Sequence, residues 1–241
     1  MGRTQRETSI DTGALYLTVH REFARLLDSL TPAQLQTVVP AAPQWCVRDV
    51  AAHVVGLAAA LNAQHLPAAD DEGGTAWAAG HIAARAETSV PELLAEWDRE
   101  APAFADGLRL FGYEFGCHFV ADLLVHMHDV QAALGLPPYA DPVALVVALD
   151  HYCDHLGGLL AAAGWGMVVV DSSDGEVRSV GVGAERARVA GSPYDLLRSF
   201  SARRSERQVR SLAWTGDVDA FVAFLRDCWS GGYSLPLADQ P

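Results

Sequence analysis

Between Asp11 and Leu30 the apolar residues Leu15, Leu17, Val19, Phe23, Leu26, Leu27 and Leu30 recur among polar ones. That is the period of an amphipathic helix over residues 12–30. Thr31, Pro32 and Gln34 supply a cap, a first-turn proline and a capping-box partner for a short helical turn, and VVPAAPQW then reads as a loop. From Val47 to about Ala63 the chain is rich in Ala and Leu, broken only by Gly56, which predicts a buried helix. The acidic, glycine-containing stretch 69–75 reads as a loop. Ser89 with Glu92 three residues on starts a third helix reaching about Leu110. A fourth runs from about Phe115 to Leu134, closed by Gly135, and Asp141–Pro142 opens a fifth that ends near Ala163.

After Gly164 the texture changes. MVVVD, SSDG and EVRSVGVG read as two strands around a tight turn, with ERARVAG as a third. Ser192 and Pro193 cap another helix, RSLAW is a further strand, residues 217–228 form a last helix, and the tail from Ser230 is irregular. The pattern predicts a helical domain over 10–164 and a small α+β domain over 165–241.

At 241 residues, half of them hydrophobic and a fifth charged, the chain can bury a core and is globular rather than disordered. Its 17 basic and 30 acidic residues give a formal charge of −13, which argues against a nucleic-acid partner. The acidity belongs to the helical part: 8 arginines stand against 20 acidic residues before Trp165, and 9 against 10 after it. Every basic residue is Arg, a bias that points to a GC-rich, actinobacterial source. The N-terminus shows no signal peptide, and no unbroken apolar run has the 18 residues of a membrane span. Cys46, Cys117, Cys153 and Cys228 are far apart and form no CxxC. The expectation is a cytoplasmic protein with reduced thiols and no membrane partner.

The fourth helix carries His118, Asp122, His126, His128 and Asp129. At 100° per residue, positions 118, 122, 126 and 129 share one arc of about 80°, with His128 on another side. His118 and His126 are two turns, about 12 Å, apart and cannot readily serve one ion, whereas Asp122 is an i, i+4 neighbour of both. A third ligand is on offer from the second helix, where His53 stands on an otherwise apolar run. His53, Asp122 and His126 make a two-histidine, one-carboxylate set with coordination positions left open, as in catalytic zinc sites, and equally suited to iron, nickel or manganese. Spacing alone leaves other readings open: His53 as a hydrogen-bonded core residue, Asp122 and His126 as an ion pair on a helix face, or a rival pair in His151 and His155 beside Asp150 and Asp154. On the same footing Trp45 reads as a core anchor, Cys46 as a buried thiol, and Asp129 as an acid that orients His126.

WCVRDVAAHVVG at 45–56 and DLLVHMHDVQAALGLP at 122–137 together resemble the DinB-like family of the mycothiol-dependent maleylpyruvate isomerase type. The likeness extends over roughly residues 12–163, and GSPYDLLRSFSARRSERQV followed by LAWTGD is similar to the small domain that accompanies the bundle in many such proteins. It implies a mainly α fold: an up-down four-helix bundle followed by a small α+β C-terminal domain. It places the metal ligands on His53, Asp122 and His126, and a substrate-binding role on Arg203 and Arg204. Three positions depart from the family pattern: Asp122 stands where Glu is more usual, Cys46 where Thr or Ser is, and Ala202 where Gly precedes the arginine pair.

The function implied is that of a metal-dependent enzyme, with zinc as the metal. It would activate a low-molecular-weight thiol, mycothiol as co-substrate, for S-transfer to a small electrophile or for its isomerisation. Two alternatives are a metal-hydroxide hydrolase of a small amide or ester, and a metal- or ligand-binding protein without turnover. The implied partners are the small electrophile and the thiol, for a monomer or homodimer.

Overall fold

The computed structural model of the chain describes residues 3–71, 74–228 and 238–240; most of the tail from Ser230 lies outside them. By its contacts the chain forms two compact units, one of Glu7–Tyr139 and one joining the residues up to Arg6 with those from Ala140 onward.

The first unit is the bundle. Its long helices are α2 (Thr12–Asp28), α4 (Val47–Asn62), α6 (Val90–Phe111) and α7 (Tyr113–Ala133), close to the positions their periodicity predicts. Each is started by identifiable chemistry. The Asp11 carboxylate accepts from the Ala14 N–H at 2.8 Å to open α2, and Glu92 accepts from the Ser89 N–H at 2.9 Å to open α6. One residue, Gly112, joins α6 to α7, and its φ of +88° is a conformation that glycine alone takes without strain. Tyr16, Val19, Phe23 and Leu27 of α2 bury against Leu93, Trp97, Phe104 and Leu108 of α6. The indole N–H of Trp97 donates to the Tyr16 hydroxyl at 3.1 Å, so even the bulkiest core residue has its polar atom met.

Helix α4 packs on both α6 and α7, and this pairing brings residues near position 50 beside residues near 125. A short α3 (Pro32–Leu35) follows α2 with the expected Thr31–Gln34 capping box. The stretch read as a loop contains a small antiparallel ribbon, β1 (Val38–Val39) with β2 (Ala42–Cys46). Pro40 and Pro43 hide it in the sequence because proline signals a turn more strongly than two short strands can signal themselves. A further helix, α5 (Thr75–Ala83), was not expected at all.

In the second unit, β3 (Met167–Ser172), β4 (Val177–Gly181), β5 (Glu185–Gly191) and β6 (Ala213–Gly216) form one sheet in the order β4-β3-β5-β6. β3 and β5 run parallel and the other pairs antiparallel. Helices α8 (Pro142–Ala162), α9 (Pro193–Phe200), α10 (Glu206–Arg210) and α11 (Val218–Cys228) belong to the same unit. Leu149, Leu156 and Leu160 of α8 share a core with Val168, Val170, Val189, Phe200 and Phe221. By length and hydropathy α8 could cross a membrane, but half of its most apolar stretch is buried inside the protein, as a core helix requires. The composition shift at Trp165 therefore marks where the sheet begins, one helix after the chain has entered this unit.

The N-terminal α1 (Arg3–Ser9) escaped the sequence because it is polar throughout. Its Arg6 is buried, and its guanidinium meets Asp150 of α8 through Nε at 2.7 Å and Nη2 at 2.9 Å. Arg178 of β4 donates to the same carboxylate at 2.9 Å, and Glu176 lies 3.1 Å from Arg6 Nη1. Burial alone would raise the Asp150 pKa, but the bonds from Arg6 and Arg178 outweigh it and hold the carboxyl below its ordinary range.

Candidate metal centre

The start of α4 sets the first group. The Asp49 carboxylate accepts from the Cys46 N–H at 2.9 Å, which fixes the first turn although Cys46 supplies no hydroxyl cap. One turn beyond Asp49, His53 is buried. On α7, Asp122 and His126 occupy one face at i, i+4, with His126 Nε2 3.5 Å from Asp122 Oδ1. Packing of α4 on α7 brings the three together: one ligand atom from each of His53, Asp122 and His126 lies within 4.8 Å of the others. The rings of His53 and His126 stand 5.0 Å apart between centroids, nearly edge to face.

The electrostatics suit a cation. Burial, then the neighbouring His126, push the His53 pKa down to about 3, so its imidazole is neutral at neutral pH and has a lone pair to give. Asp122 is opposed by burial, but His126, with His53 and His118, outweighs this and keeps it ionised. The δ nitrogens of His53 and His126 are buried and have no hydrogen-bond partner among the described residues. Buried imidazoles with idle nitrogens around one carboxylate are what a divalent ion would complete. Asp129 Oδ2 lies 3.9 Å from His126 Nδ1, which is charge-pairing range rather than a hydrogen bond.

The other candidates fall elsewhere. His118 is exposed on α7 and lies outside the three-residue group. His128, which its angle puts on another side of the helix, is buried with Nε2 2.8 Å from the Tyr139 carbonyl. Beside the rival pair on α8, the acids are spent on structure: Asp150 is held by two arginines, and Asp154 accepts from Arg3 at 2.6 Å, while the His151 and His155 rings stack 6.5 Å apart. Trp45 is not the expected core anchor. At the end of β2 it is half-buried, with its ring 5.0 Å from His53 and 6.1 Å from His126, and it walls the centre.

In the second unit, α9 ends in a left-handed turn. Ala202 has φ of +57°, and the Arg203 N–H reaches back to the Arg198 carbonyl at 2.8 Å, closing the helix where glycine would sit without strain. Arg203 is buried, and its guanidinium donates to the Ser201 carbonyl at 2.8 Å. Arg204 is half-buried, over the Tyr194 ring at 5.7 Å, and donates to the Gln240 carbonyl at 3.3 Å.

Sequence reasoning missed His81. It lies on α5, buried, with its ring 5.7 Å from His53 and 4.4 Å from Trp77. Helix α5 is almost uniformly apolar, TAWAAGHIA, so it shows no amphipathic contrast. It is also capped from a distance: Asp71 accepts from the Ala76 N–H at 3.0 Å and the Trp77 N–H at 2.8 Å. Two signals were present, the acid ahead of the helix and the Trp77–His81 spacing of one turn.

Residues 16–117 match the family model described as the mycothiol maleylpyruvate isomerase N-terminal domain. This stretch is similar to that domain. The match takes in His53 and His81, stops short of Asp122 and covers less than half of the chain. Two crystal structures share the fold more broadly. One is of the mycothiol-dependent maleylpyruvate isomerase, at 17% identity and a TM-score of 0.53, covering 86% of this chain and 92% of that one. The other is of a histidine-to-alanine mutant of mycothiol-dependent maleylpyruvate isomerase, at 14% identity and a TM-score of 0.57 with the same coverage. No curated protein matches the sequence. The likeness read from the two motifs holds, and so does the mainly α fold with its small C-terminal sheet.

Proposed function

We propose that this protein is a metal-dependent, mycothiol-using isomerase of a small electrophilic substrate of the maleylpyruvate kind, with His53, Asp122 and His126 as the ligands of a zinc ion. The observation that carries the reading is the convergence of two imidazoles and one carboxylate, from two helices of the fold, within 4.8 Å. A divalent ion held there supplies Lewis acidity that keeps a thiol sulfur as thiolate near neutral pH. The chain's own residues do the rest. Asp122 offsets part of the ion's charge, and two neutral histidines leave a net positive centre that favours an anionic sulfur. Trp45 covers one side of both imidazoles and excludes water from it. Arg203 and Arg204 carry, in this proposal, the binding of the substrate's negative charge; replacing Arg204 with Ala is expected to raise KM more than it lowers kcat.

The first test is elemental analysis of the purified wild-type, H53A and H126A proteins. One zinc per chain in the wild type and none in either variant supports the ligand set. Isomerisation of maleylpyruvate that needs both the metal and mycothiol then supports the reaction. A wild-type protein that takes up no divalent metal on reconstitution overturns the reading.

A further inference from the structure

Helix α5 sets a further imidazole against the metal centre. His81 is 6% exposed, and neither of its ring nitrogens has a hydrogen-bond partner among the described residues. Its ring neighbours are the faces and edges of Trp77 and His53, which give an N–H no oxygen to reach. A buried N–H without an acceptor is costly and rare in folded proteins, and beside a candidate metal centre it points to a partner the chain does not supply.

The placement depends on several independent features. Gly56 lies one turn beyond His53 on α4, and a Cβ there would stand 2.5 Å from the His81 Cβ and 2.8 Å from its Cγ. Only glycine at position 56 lets α5 lie this close. Arg48 of α4 then grips the turn that follows α5, donating to the carbonyls of Arg85, Ala86 and Thr88. Arg85 in turn pairs with Glu96 of α6, Nε to Oε2 at 3.0 Å. His81 is not one of the three residues whose donor atoms cluster within 4.8 Å. It stands beside the ligand set, not in it.

We propose that His81 binds the thiolate: its imidazole N–H donates a hydrogen bond to the sulfur held at the open position of the metal centre, and Gly56 is the residue that admits it. The proposal rests on the thiol-using reading above. A neutral imidazole has one N–H to give, and a bond to an anionic sulfur is charge-assisted, so its loss is worth at least a factor of ten in affinity.

The test uses the cobalt-substituted full-length protein, titrated with mycothiol and with 2-mercaptoethanol as a small probe. Thiolate-to-cobalt absorption reads thiol binding, and chelator competition reads metal affinity. H81F keeps a ring but has no N–H; H81Q keeps a donor. The expected result is metal affinity within about threefold of wild type in both, thiol affinity lowered about tenfold in H81F, and most of it restored in H81Q. G56A, which pushes α5 away, is expected to weaken the thiol like H81F. Unchanged thiol affinity in H81F overturns the proposal, and so does a loss of metal affinity beyond tenfold, which would make His81 a ligand. Should H81F not fold, wild-type thiol affinity in G56A overturns it equally. A wild-type cobalt protein that no thiol perturbs defeats the thiol-using reading itself, whereas a responsive wild type with an indifferent H81F defeats only the role of His81.

Discussion

Two buried polar clusters, one in each unit, solve the same electrostatic problem in opposite ways. Around Asp150 both carboxylate oxygens are taken, by Arg6 and Arg178, and Glu176 also pairs with the Arg6 guanidinium. Around Asp122 the neighbours are imidazoles, with buried nitrogens left without partners on His53, His126 and His81. The first cluster satisfies its acid within the chain. The second leaves ring nitrogens that, in our proposal, an ion and a thiol meet. An acid with both oxygens engaged by arginines reads as a structural joint, whereas an acid among buried imidazoles reads as a candidate binding site.

The largest effect should come from breaking the closed cluster. Asp150→Asn leaves Arg6 and Arg178 buried beside a neutral amide and is expected to cost about 3–5 kcal/mol, read by urea unfolding. The pH dependence follows from the same acid. Its folded pKa lies below the unfolded value of about 3.9, so its contribution is complete above that pH and is lost as the pH falls through the depressed folded value. Acid titration of stability should therefore show a steep loss below about pH 4 in the wild type and a shallower one in the Asn variant.

The open cluster should behave differently. His53→Leu removes a buried nitrogen that has no partner, so the metal-free protein is expected to change by less than about 1 kcal/mol while metal uptake is abolished. A loss as large as that of Asp150→Asn would erase the distinction between the clusters. The smallest effect concerns the arginine loop. Ala202→Gly relieves a left-handed alanine and is expected to stabilise by about 0.5–1 kcal/mol, measured by the same unfolding curves.

Legibility in the sequence followed the kind of signal each element carries. Helices α2, α4, α6, α7 and α8 announced themselves by period and cap, and the strands of the second unit by alternation around SSDG and GVG. His53, Asp122 and His126 were readable because a helix fixes which residues share a face, but that α4 would lie beside α7 came from the family resemblance rather than from spacing. Arg6 was invisible because burial of a charge depends on a partner 144 positions away. His81 was hidden for another reason: its helix is apolar on every side and begins from an acid four residues before its first turn. The five-residue α10 was missed although Ser205 and Gln208 spell a capping box, because so short a helix has no period to read.

The bond between Arg6 and Asp150 also sets an order of events during synthesis. A ribosome adding about 5–20 residues per second leaves Arg6 without its acid for roughly 7–30 s, since Asp150 emerges 144 residues later. Residues 7–139 are complete before then, so the bundle has time to collapse on its own core. A segment made before the bundle becomes one of the last to find its place.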